Sequence, residues 1–72
     1  MVKTQNIDVD RLNEAIENSG LRSIFISNKL GITPQAFNAK RRGKIAFRQS
    51  EVYVMTDLLK LSNEESAKIF FP

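Results

Sequence analysis

The chain has 72 residues and a formal net charge of +3, with 42% hydrophobic and 26% charged residues. That is the size of one domain, 1–72, and the composition of an ordinary globular protein. It contains no cysteine and no histidine, which excludes disulfides, thiolate metal sites and cysteine nucleophiles, and removes the commonest general base and metal ligand.

Charge is unevenly placed along the chain. Residues 1–21 hold Lys3 and Arg11 against Asp8, Asp10, Glu14 and Glu17, a balance of −2. Residues 22–48 hold Arg22, Lys29, Lys40, Arg41, Arg42, Lys44 and Arg48 with no acid, a balance of +7. Residues 49–72 return to −2, with Lys60 and Lys68 against Glu51, Asp57, Glu64 and Glu65. A cationic middle between acidic ends suits a surface that meets a polyanion, and equally a solvated basic face. No apolar run approaches the roughly 20 residues that span a bilayer. "MVKTQNIDVD" has no apolar h-region, so no signal peptide is expected and the expected location is the cytoplasm.

In chain order, the pattern predicts five short helices. "DVDRLNEAIENSG" opens on aspartates that favour a helix start, spaces Val9, Leu12 and Ile16 along one face, and stops at Gly20. "RSIFISNKLG" is a helix of about two turns, with Ile26 and Leu30 inward and Gly31 at its end. Its β-branched residues make it weak by propensity, so packing must hold it. "TPQAFNAKRRG" has Thr33 as N-cap and Pro34 at the first helical position, and is expected to run from 34 to 42, anchored by Phe37 and ended by Gly43. "KIAFR" is a loop in which Ile45 or Phe47 enters the core. "QSEVYVMTDLLKL" is a fourth helix, capped near Ser50, with Val52, Met55, Leu58 and Leu59 as its inner stripe. Ser62 and Glu65 form a capping box that starts the last helix, running into "AKIFFP".

Two short helices joined by about three residues with a glycine in the turn make a helix-turn-helix, here at about 22–43. Gly31 permits the positive φ of a sharp stop, and Thr33-Pro34 starts the next helix at a fixed point. Phe37 pins that helix by one face, leaving Pro34, Gln35 and Asn38, and with them Lys40 and Arg41, free on the other. Such a helix can enter a DNA major groove.

"SIFISNKLGITPQAFNAKRRGK" resembles the helix-turn-helix of the lambda-repressor-like superfamily, the Cro and CI type regulators of temperate phages and their bacterial relatives. Ile26, Leu30, Ile32 and Phe37 match its buried positions, Gly31 its turn glycine, and Gly43-Lys44 a common pair after the recognition helix. Ser27 stands where alanine is usual, and Lys40 where many members place a large apolar residue. "FRQSEVYVMTDLLKLSNEESAKIFF" is similar to small proteins of Gram-positive phages, including Cro-like and modulator-of-repression proteins, so the resemblance covers the whole chain. It implies an all-α bundle of about five short helices, in the cytoplasm of a bacterial host cell. It implies Gln35 as main base reader, flanked by Pro34 and Asn38, and Thr33, Lys40, Arg41, Arg42, Lys44 and Arg48 on phosphates. The expected partner is a double-stranded DNA operator bound as a homodimer.

A second feature suits a protein partner. Ile24, Phe25 and Ile26 are adjacent, and one helix cannot turn all three inward. The chain also carries Ile69, Phe70 and Phe71. Phe25 and Phe70 either close a small core or join Ile24 and Phe71 in an exposed patch. The patch reading makes the chain an antirepressor that binds a cognate phage repressor. An enzyme is not expected, because no nucleophile, base and orienter occur together. Nor is a cofactor, a metal or a membrane contact: the three glycines, at 20, 31 and 43, are turn residues rather than a phosphate loop.

Overall fold

The computed structural model describes residues 7–72, and these form five helices and no strand. They are α1 (Val9–Ser19), α2 (Ser23–Leu30), α3 (Pro34–Arg41), α4 (Gln49–Leu58) and α5 (Asn63–Phe70). The all-α bundle expected from the sequence is the fold observed. The stretch up to Asn6, in which no leader is expected, lies outside the described residues.

Four of the five helices begin where a side chain answers a backbone amide, and α2, behind Arg22, begins without one. Asp8 caps α1 by accepting the Arg11 N–H at 3.1 Å. Ser62 and Glu65 form the expected reciprocal box at α5, with bonds of 3.1 and 2.9 Å. The start of α4 differs from expectation. Its N-cap is Arg48, not Ser50, because the Glu51 carboxylate reaches back to accept the Arg48 N–H at 2.8 Å.

Three helix ends share one geometry. After α2, Gly31 N–H donates to the Asn28 carbonyl and Ile32 N–H to the Ser27 carbonyl. After α3, Gly43 and Lys44 do the same to Lys40 and Ala39, so α3 stops at Arg41 rather than Arg42. Gly31 and Gly43 sit at φ of +74° and +82°, the left-handed region that this double bond needs. After α4 the same position falls to Lys60, at φ 56°. There the residue carries a Cβ in a region that disfavours one.

The core is built from Leu12 and Ile16 of α1, Ile26 of α2, Phe37 of α3, Val52 and Met55 of α4, and Ile69 and Phe70 of α5, with Ile7, Phe47 and Leu59 from the connecting segments. Of the two loop candidates, Phe47 goes inside and Ile45 stays exposed. The Phe47 and Phe70 rings meet edge to face at 5.5 Å. Leu30 and Leu58, expected inward, are half-buried at the margin. Ser27 is fully buried, and its hydroxyl donates to the Ile24 carbonyl at 2.9 Å. The smaller alanine is therefore not required there. Helix α3 lies against α1 and α2 and not against the backbones of α4 or α5. It occupies one side of the bundle.

Candidate nucleic-acid interface

The motif is laid out as its local chemistry dictates. Three residues, Gly31, Ile32 and Thr33, separate α2 from α3. The Thr33 hydroxyl accepts the Ala36 N–H at 3.1 Å. That leaves the hydroxyl proton of this exposed side chain to donate outward. Phe37 is fully buried and holds α3 by its middle. Removing a Phe side chain from water stabilises by about 2–3 kcal/mol, so this anchor is a large share of what fixes the helix.

Pro34, Gln35 and Asn38 are all exposed. Gln35 and Asn38 are three residues apart, and Arg42 follows four after Asn38, so one stripe carries two carboxamides and then a guanidinium. Each carboxamide can offer one donor and one acceptor side by side to a base edge. Arg42, Lys44 and Arg48 are exposed as well, around the end of the helix where cations are also favoured by its dipole.

Two of the cations are used internally. Arg41 is half-buried; its Nη1 donates to Ser23 Oγ at 2.9 Å and its guanidinium lies 5.8 Å from the Phe37 ring centre. It ties the end of α3 to the start of α2. Lys40 is not a phosphate contact. It is 7% exposed, and its Nζ lies 2.6 Å from Glu51 Oε1. The reason is its place on the helix: three residues beyond Phe37, it shares the inner face. The same Glu51 oxygen takes the Arg48 N–H. Burial alone would push the Glu51 carboxyl up. The Lys40 hydrogen bond, the Arg48 N–H and the charges of Lys40 and Arg48 outweigh that and hold it below its ordinary 4.5.

The proposed protein-binding residues divide. Ile24 and Phe25 are 55% and 42% exposed on α2, where Lys29 Nζ lies 5.5 Å from the Phe25 ring centre. Phe70 is not a surface residue: at 1% exposure it fills the core against Phe47. Phe71, one position on, is 66% exposed and borders a shallow groove between α4 and α5 with Tyr53 and Ala67. Helix α2 does not pack on α5. The structure thus does not join Phe71 to Ile24 and Phe25.

Glu51 is the residue that sequence reasoning missed. Its signals were present: an acid three residues into an apolar helix, and a lysine where an apolar residue is usual. Among the described residues, no helix is long and apolar enough to cross a membrane, and no group of three or more acidic residues is placed to hold a metal ion. No known protein family, curated protein or solved structure matches this chain.

Proposed function

We propose that the chain is a sequence-specific DNA-binding transcription regulator of the phage Cro/CI type, with α3 reading the major groove. The observation that carries this is the outer stripe of α3: exposed Gln35 and Asn38, ending among exposed Arg42, Lys44 and Arg48, in a stretch with no carboxylate. Gln35 reads a base edge, Asn38 a second edge or a phosphate, and the cations grip the backbone without reading sequence. One such module buries about 600–1,000 Å² of protein surface, so useful affinity calls for a homodimer on half-sites about 34–36 Å apart. A gel shift on the promoter region next to the gene tests the reading. A retarded band that weakens steeply between two salt concentrations is expected; no band, or a salt-insensitive one, overturns it.

The exposed Ile24 and Phe25 favour a second reading, an antirepressor that covers a cognate repressor. Two large apolar side chains side by side among cations form a contact centre for a partner face with an acidic rim. Mixing the chain with that repressor and measuring mass in solution decides it. Ile24→Asp is expected to abolish such a complex and leave DNA binding within twofold.

A further inference from the structure

Helix α3 has eight residues and one fully buried apolar side chain, Phe37. An apolar contact is non-directional. Contact with α1 and α2 seats this short rod, but with one ring as its buried anchor small rolls about its axis cost little. A roll of about 10° on a helix about 10–12 Å across moves a side-chain tip by about 1 Å. Contacts that read a ligand must hold within about 0.5 Å. Something other than Phe37 must therefore stop the roll.

We propose that Lys40 and Glu51 are positioning residues that fix the rotation of α3 about its axis, and so the direction in which Gln35 and Asn38 point. This rests on the reading of α3 as the DNA-facing helix. Lys40 lies nearly one turn beyond Phe37, and its Nζ–Oε1 contact of 2.6 Å crosses to a helix whose backbone α3 does not touch. A charge-assisted hydrogen bond is directional where a methyl contact is not. Its acceptor is itself tied to the backbone, because Glu51 Oε1 closes the first turn of α4 through the Arg48 N–H at 2.8 Å. On the other edge of α3, Arg41 is fastened to Ser23. The helix is thus held at three points, and two of them are directional. Stability alone does not ask for this pair: apolar residues of similar volume in place of a buried ion pair are often neutral or stabilising. What the charged pair adds is orientation.

The test is the double variant Lys40→Met/Glu51→Leu, read in two ways. The first is the direction of the α3 amides relative to α1 and α4, from residual dipolar couplings on the protein alone. The second is the ratio of operator affinity to affinity for unrelated DNA. The double variant is expected to fold cooperatively, with changed α3 couplings and a ratio about tenfold lower. Its non-specific affinity stays within twofold, because Arg42, Lys44 and Arg48 are untouched. Glu51→Gln keeps an acceptor for both donors and is expected to restore the wild-type couplings. If the double variant does not fold, Lys40→Gln replaces it; a shorter donor reaching for the same oxygen must turn α3. Unchanged α3 couplings in the folded double variant, or in Lys40→Gln where that replaces it, overturn the proposal. A wild-type protein that binds no DNA specifically overturns the DNA reading instead, while the couplings still decide the positioning role.

Discussion

Helices α2 and α3 are each eight residues long and lie side by side in the same motif, yet they sort their side chains in opposite ways. Helix α2 keeps Ile24 and Phe25 outside and buries Ser27. Helix α3 keeps carboxamides outside and buries an ammonium group. Each buries an apolar residue, Ile26 or Phe37, and each also breaks the rule that apolar residues go in and polar ones out. Each departure is satisfied differently. Ser27 bonds within its own helix, at no demand on the rest of the molecule. Lys40 needs a carboxylate eleven positions away, on another helix. The first departure is local and tolerant; the second is a commitment of the whole fold.

The contrast can be broken at several points. The largest effect is expected at the α3 anchor. Phe37→Ala should remove about 3–5 kcal/mol, most of the stability of a domain this small, seen as loss of the cooperative transition in urea. Next comes the pair taken apart. Glu51→Leu alone strands a buried ammonium and should destabilise by about 3 kcal/mol, whereas Lys40→Met/Glu51→Leu should come back to within about 1 kcal/mol of the wild type. Ser27→Ala, the local counterpart in α2, should stay within about 1 kcal/mol. If Ser27→Ala and Glu51→Leu destabilise equally, the contrast fails.

Acid titration probes the same pair. Glu51 is held below its ordinary value of 4.5 in the folded state. A lowered carboxylate contributes stability that is present in full above about that pH and is lost as pH falls through the folded value. Lys40 and Arg48 are the charged groups facing it. The double variant should lack this share of the acid-induced loss, measured as the change in urea midpoint between pH 6 and pH 3.

The reading face gives smaller effects. Gln35→Ala should lower operator discrimination by about 1–3 kcal/mol and leave the melting temperature unchanged. Arg42→Ala should leave discrimination alone and flatten the log–log salt dependence by about 0.9 per protomer. With Lys40 buried, the wild-type slope should be about −3 per protomer, from Arg42, Lys44 and Arg48, and so about −5 for the homodimer.

What was legible in the sequence was whatever is decided within one turn of chain. Gly31, Thr33 and Pro34 announce a stop and a start through their own φ preferences and hydroxyl, with no help from distant residues. The Ser62–Glu65 box is equally self-contained. The illegible parts depended on tertiary neighbours. Lys40 reads as a surface cation until Glu51 is known to face it. Phe70 and Phe71 are adjacent and chemically identical, and it is the packed core, Phe47 included, that takes Phe70 and leaves Phe71 outside. Ser50 looks the better cap by residue type, but the carboxylate one position later captures the amide first. Pro34, Gln35 and Asn38 were foreseen outside because Phe37 marks the inner side of α3, but Lys40 and Arg41 were expected with them and turn inward. The rotational stop on that same helix was not foreseen, because its partner belongs to a later one.

The shielding of Lys40 has an analytical consequence. Lys29, Lys44, Lys60 and Lys68 are exposed, and an amine-acylating reagent reaches them without any opening of the fold. Lys40 will react only during moments when its helix lifts from Glu51, so its acylation rate, followed by mass spectrometry, reports the free energy of that local opening. The protein carries its own chemical clock, and adding DNA to the mixture will slow that clock if the duplex grips the helix in its seated position.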